Sequence, residues 1–215
     1  MIEHKTVSLA DQVFDRLETE ILSGKYHPGD VLTEMKLVAD LGVSRTPIRE
    51  ALRRLEQEHL VEISQKGILV IGVTKKDLAD IMEIRMCVEG LAARECAKNI
   101  TDAQLEELRE TLELQEFYVP KRDAVRINTM DSKFHKLIYR FSGSVALYDT
   151  LMPLHKKVLK YRRTSVENAQ RSGSSSGEHR AIFEAIAAHN APLAEKCMKE
   201  HIANANAFIQ EKEDR

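Results

Sequence analysis

Apolar residues recur at every fourth position from Leu9 through Val13 and Leu17 to Ile21, and Ser8 stands where it can cap such a helix. Gly24 ends this first helix, His27-Pro28-Gly29-Asp30 reads as a turn, and Thr33 can cap a short second helix carrying Leu37, Val38 and Leu41. Gly42 can adopt the left-handed conformation that closes the second helix, and Ser44 can cap a third that runs to about His59. In the third helix Ile48, Ala51, Leu52 and Leu55 share one face, while Arg45, Thr46, Arg49 and Arg53 share the adjoining one. One face can pack and the other can meet a polyanion. Two β-rich runs follow, Leu60 to Ile63 and Ile68 to Ile71, separated by Ser64-Gln65-Lys66-Gly67. Three helices and a hairpin make a winged helix-turn-helix over residues 1–73, whose third helix can enter a major groove.

From about Thr74 the pattern is helical without visible strands, and Thr101-Asp102-Ala103-Gln104 fits a capping box. Pro120, Gly143, the segment Ser172 to Gly177 and Asn190-Ala191-Pro192 read as interruptions, which predicts about six helices. Residues 74–215 are therefore expected to form an all-α antiparallel bundle, and the fold class is mostly α.

Composition narrows the function classes. With 215 residues, 43% of them hydrophobic, the chain can bury two small cores. The longest apolar run, Ile68 to Val73, is too short to span a bilayer, and no signal-peptide core is visible, so the expected location is cytoplasmic and no membrane partner is expected. Cys87, Cys96 and Cys197 form no Cys-x-x-Cys pair and read as reduced thiols. The net charge is −2, and residues 1–73 carry nine Lys and Arg against twelve Asp and Glu. This balance argues against coating nucleic acid through bulk attraction, and affinity for double-stranded DNA must come from where the arginines sit and from dimerisation. Arginines on such a face also form ion pairs with nearby glutamates, as solvated helix surfaces do.

The second domain places polar residues on apolar faces. His179 shares a face with Ile182, Phe183 and Ile186, and His201 lies among Ala194, Cys197, Met198, Ala205 and Phe208. Each is eleven residues from Asn190, so an antiparallel pair of helices brings the two imidazoles level. Asp131 and His135, one turn apart, flank the stripe Ile127, Phe134, Ile138 and Phe141. Three imidazoles and a carboxylate suit a divalent metal ion such as Zn²⁺ or Ni²⁺, with one or two positions open. Cys197, a turn before His201, is either a soft ligand or a small buried thiol. His4, His27, His59, His155 and His189 read as structural or solvent-facing. Arg85 falls on an apolar face with Leu78, Ile81, Met82, Val88 and Ala92. A buried guanidinium needs an anion, supplied either by Glu89 one turn on or by the carboxylate of a small ligand.

The run Tyr26-x-Pro28-Gly29-Asp30-x-Leu32, followed by Gly42-Val43-Ser44-Arg45-Thr46-Pro47-x-Arg49-Glu50-Ala51-Leu52-x-x-Leu55, resembles the GntR family of bacterial transcription regulators. The all-helical second domain resembles the FadR-type branch with an effector-binding FCD domain, so the likeness covers nearly the whole chain. It implies DNA contacts from Ser44, Arg45, Thr46 and Arg49 and from the wing tip Gln65-Lys66-Gly67, with Arg53 on the same face. It also implies a metal site at Asp131, His135, His179 and His201, with Glu178 preceding His179 at a helix start, and an effector-binding arginine at Arg85. Two departures are visible: His59 stands where a glycine usually closes the helix, and Met35 where some members have a DNA-contacting arginine.

Together these readings describe a homodimeric repressor of a pseudo-palindromic operator, controlled by a small carboxylate effector at a metal site and without catalytic residues. Two alternatives share the same residues. A metal-dependent hydrolase or oxygenase would need a general acid or base beside the ion, for which Glu178 is the one candidate, and a purely structural metal would leave the bundle as a dimerisation module.

Overall fold

A computed structural model describes residues 7–213, apart from the side chains of Arg163, Thr164 and Glu213. The chain divides into two compact units at Lys75/Lys76.

In the first unit α1 (Leu9–Leu22) opens with a capping box in which Ser8 and Asp11 exchange side-chain and backbone hydrogen bonds. Thr33 caps α2 (Glu34–Leu41), and Gly42, at φ 66°, closes it. Ser44 is the N-cap residue of α3 (Arg45–Gln57), but its hydroxyl makes no capping hydrogen bond, so the expected cap is one of backbone position only. His59 takes φ 58°, the left-handed conformation a glycine would adopt there more readily. Val13, Leu17, Ile21, Leu37, Ile48, Leu52 and Leu55 close into one core with Val61, Ile68 and Val70. Arg54 of α3 bonds Asp11 at 2.6 Å and lies over the Phe14 ring, fastening α3 to α1.

The wing consists of β2 (Val61–Ser64) and β3 (Gly67–Val70), antiparallel, with Ser64 opposite Gly67 across the two-residue turn Gln65-Lys66. A third strand, β1 (Val31–Leu32), was not legible in the pattern; it pairs with β3 to give the order β1-β3-β2. Two residues carry no period, and β1 is set by the preceding turn, where Gly29 N–H donates to Val70 and Val70 N–H donates to Asp30. Gly67 sits at φ 125°, and a Cβ there would lie 2.9 Å from Val31 Cγ1 and 3.0 Å from the Leu32 carbonyl oxygen. Gly67→Ala is expected to cost about 1–3 kcal/mol and to loosen β1 from β3, as chemical denaturation and amide exchange would report.

The second unit contains α4 (Lys75–Asn99), α5 (Asp102–Tyr118), α6 (Ala124–Phe141), α7 (Val145–Lys157), α8 (Leu159–Glu167), α9 (Ala169–Ala187) and α10 (Ala191–Glu213). The Thr101/Gln104 capping box starts α5 as expected. Ser172 to Gly177 is not an interruption. Asn168 caps α9, which runs straight through the segment because Ser172 and Ser176, one turn apart, are buried against neighbouring helices. Packing of small side chains outweighs the poor helix propensity of Ser and Gly here. The helical pairs α9/α10, α5/α6, α5/α9 and α6/α8 make up the bundle, which buries Phe134, Ile138, Leu108, Leu112, Ile182, Ile186, Ala194 and Met198.

Candidate nucleic-acid interface and metal centre

On α3 the apolar face Ile48, Ala51, Leu52 and Leu55 is buried, which turns Arg45, Thr46, Arg49 and Arg53 outward. All four are exposed, as are Ser44 at the helix start and Gln65 and Lys66 at the wing tip, while Gly67 is half-buried. Arg49 is engaged: its Nε donates to both carboxylate oxygens of Glu34, at 2.9 and 3.0 Å, across from α2. The ion pair expected of a solvated face is therefore present for this arginine, with a partner outside its own helix. Met35, on α2, is 72% exposed beside this surface.

The second unit brings His135, His179 and His201 together, with their ligand atoms within 4.8 Å of one another and the side chains buried. α6 carries His135 and Asp131, and the antiparallel turn between α9 and α10 sets His179 level with His201, their Nε2 atoms 3.3 Å apart. Asp131 Oδ1 lies 3.6 Å from His179 Nε2. Cys197 is not part of the cluster.

Each imidazole is held through its other nitrogen. His135 Nδ1–H donates to Glu89 Oε2 at 2.7 Å, His179 Nδ1–H to Gln115 Oε1 at 2.8 Å, and His201 Nδ1–H to Glu178 Oε2 at 2.6 Å. These acceptors fix the tautomer, so all three Nε2 atoms carry lone pairs. Two lone pairs then face each other at 3.3 Å, and buried His135 Nε2 has no hydrogen-bond partner. Three buried acceptors pointed at one volume could hold a cation. A tetrahedral ion with bonds of about 2.0–2.1 Å would separate its nitrogens by about 3.4 Å, close to the spacing of His179 and His201.

Around this cluster lies a charged shell. Glu89, which holds His135, also pairs with Arg85 at 2.7 Å. Asp131 pairs with Arg162 through Oδ2. Arg171 grips Glu178 through both terminal nitrogens, at 2.8 and 2.9 Å. Glu178 thus orients His201, not His179, and it lies within α9 rather than at a helix start. Arg85 has the intrahelical partner the spacing offered, and it also lines a cavity that Asp131, His135 and His201 share. His155 is drawn into the shell, with Nδ1 3.3 Å from the Tyr139 hydroxyl and 3.4 Å from Arg162 Nη1. His27 and His59 are exposed, His189 bonds the Ala97 carbonyl oxygen, and His4 lies outside the described residues.

The charge states follow from burial and these partners. Burial would raise the Asp131 carboxyl, but Arg162 and the three imidazoles outweigh it and hold the carboxyl well below the usual carboxylate range. Glu178 is likewise raised by burial and pulled down to about 2 by hydrogen bonds from His201 and Arg171. Burial, and then neighbouring His201, push His179 down to about 3. Burial also drives His135 and His155 well below 6.5. Because a free imidazole titrates near 6.5, the unfolded chain binds a proton at His179 that the folded chain refuses between about pH 6.5 and 3. Metal-free protein should therefore lose about 1.4 kcal/mol per pH unit from His179 alone as pH falls through that window, and gain nothing above it. The carboxylates add acid sensitivity only below about pH 4, where an unfolded carboxyl takes up its proton. Circular dichroism of chelator-treated protein against pH checks this, and constant stability between pH 6.5 and 5 would contradict it.

Comparison with known proteins places these two units. Residues 80–204 match the FCD domain, and residues 9–70 match the bacterial regulatory proteins of the gntR family. The chain is 31% identical over 141 residues to the gluconate operon transcriptional repressor of Bacillus licheniformis, a match covering 64% of this chain but 58% of that protein. It is 29% identical to the probable D-xylose utilization operon transcriptional repressor of Paenarthrobacter nicotinovorans, over 91% of this chain and 86% of that one. Among solved structures, E. coli McbR/YncC superposes with a TM-score of 0.81 at 26% identity, covering 96% of this chain and 99% of that one. Among the described residues no helix is long and apolar enough to cross a membrane. The chain belongs to the GntR family of bacterial transcription regulators, in the branch whose second domain is a helical FCD domain.

Proposed function

We propose that this protein is a repressor that binds a pseudo-palindromic operator as a homodimer, and that a small carboxylate releases it through a metal ion in the second domain. DNA contacts fall to Ser44, Arg45, Thr46, Arg49 and Arg53 on α3 and to Gln65, Lys66 and Gly67 on the wing. Asp131, His135, His179 and His201 hold the ion, Zn²⁺ or Ni²⁺. The single observation that carries the metal reading is the convergence of three Nε2 lone pairs, each fixed by an acceptor on the opposite nitrogen. A bound ion would supply positive charge and an open position for a carboxylate oxygen. Repression is supported by the named activities of the gluconate and D-xylose relatives. The effector acts only as far as it binds one arrangement of the winged helices better than the other.

The test uses operator duplex selected from a random-sequence library and fluorescence anisotropy. An organic acid should lower operator affinity of the metal-loaded protein and leave the chelated protein unaffected. A screen in which no acid changes DNA binding or thermal stability would overturn the effector reading. The histidines and their partners come from α4, α5, α6, α9 and α10, an arrangement that also favours a second reading, in which the metal only ties the bundle together. A structural ion makes chelation unfold the domain, whereas a sensing ion leaves with a modest change in melting temperature.

A further inference from the structure

The buried charges around the histidine cluster cancel without a metal. Arg85, Arg162 and Arg171 stand against Glu89, Asp131 and Glu178, paired one to one. A divalent ion added to this shell leaves two uncompensated positive charges in a buried cavity. Water compensates such an excess poorly, whereas an anion of matching charge removes it.

The cavity wall offers a place for the second negative charge. His135, His201 and Asp131 line a cavity of about 40 Å³ together with Arg162, Arg171 and Ser172. Among the described residues, Arg162 Nε, Arg171 Nε and Ser172 Oγ are buried polar atoms without a hydrogen-bond partner. All three can donate, and their residues are exposed by only 7%, 8% and 4%. The terminal nitrogens of Arg171 are spent on Glu178, and those of Arg162 face Asp131 and His155, so the Nε groups are what remains for a ligand. Unsatisfied buried donors on three residues of one cavity are costly unless an acceptor group fills them.

We propose that the ligand is a dicarboxylate, one acid group meeting the metal and the other meeting Arg162, Arg171 and Ser172, which select it over a monocarboxylate. This rests on the metal reading above and makes Arg162 and Arg171, instead of Arg85, the ligand's second anchor. Arg85 gives its Nε to Glu89 at 2.7 Å and an Nη to the Met82 sulfur at 3.3 Å.

The experiment is calorimetry on full-length protein. Zn²⁺ or Ni²⁺ is titrated first, and then succinate, malonate, propionate, acetate and inorganic phosphate are titrated into the loaded protein. Succinate and malonate should bind about ten- to a hundredfold tighter than propionate and acetate, the same acids without the second carboxylate, the range expected for charge-assisted hydrogen bonds from buried arginine. Ser172→Ala, which touches no proposed metal ligand, should shrink that ratio, and Arg162→Gln, measured at saturating metal because Arg162 also holds Asp131, should bring it near unity. Inorganic phosphate should bind more weakly than succinate, because it has no second acid group to place on Arg162, Arg171 and Ser172. Equal affinity for succinate and propionate in the wild-type protein would overturn the proposal on its own, even if Arg162→Gln fails to fold. So would a ratio unchanged in Ser172→Ala. A wild-type chain that takes up neither metal would overturn the metal reading itself, and this inference with it.

Discussion

Arg45→Ala and Arg49→Ala should each abolish measurable operator binding while the folded protein keeps its melting temperature. Both side chains are exposed on α3, away from the face formed by Ile48, Ala51, Leu52 and Leu55, so truncation removes no packing. Surface changes of this kind usually move stability by less than about 0.5 kcal/mol. A bidentate arginine contact to a base edge is worth about 1–3 kcal/mol, and the proposed homodimer on a two-fold operator would lose it twice, about 2–6 kcal/mol in all. The two variants should differ in one respect. Arg49 must leave Glu34 to reach DNA, and its removal leaves that carboxylate beside the phosphates; Arg49→Ala should therefore be the worse of the two at low salt. Anisotropy on selected operator duplex at several salt concentrations reads both effects, and unchanged affinity for Arg45→Ala would sink the α3 assignment.

The second large effect is expected at the histidines. His179→Ala and His201→Ala each remove a ligand whose partner nitrogen is already fixed, and metal affinity should fall by a hundredfold or more. Gln115→Ala and Glu178→Gln, which touch only the far nitrogens of His179 and His201, should weaken it by about ten- to a hundredfold. That graded series separates a metal site from a packed polar core. If the imidazoles were only packing, Glu178→Gln would alter stability and leave metal uptake untouched.

The winged unit was legible because its signals are local: caps at Ser8 and Thr33, Gly42 closing α2, and a strict apolar face on α3. β1 escaped because two residues carry no period and its pairing is imposed from β3. The course of α9 was misread because Ser and Gly dominate its first turns, and only the burial of Ser172 and Ser176 explains the helix there. His179 and His201 could be set level from their equal distance to the turn at Asn190, since an antiparallel pair converts sequence distance into height. The groups that orient and neutralise the cluster were harder to see. Gln115 did leave a trace, as a polar residue on the buried stripe Leu108, Thr111 and Leu112 of α5. Arg162 and Arg171 left none: Arg162 stands beside Arg163 and Arg171 just before the Ser172 to Gly177 segment, and their role exists only where α6, α8 and α9 meet.

Elemental analysis of purified, untagged wild-type protein beside His179→Ala and His201→Ala tests the central claim most directly. The account predicts about one Zn²⁺ or Ni²⁺ per chain in the wild type and little in either variant. A wild type that carries no metal after incubation with both ions, or variants that keep it, would contradict the metal site and return the three histidines to packing.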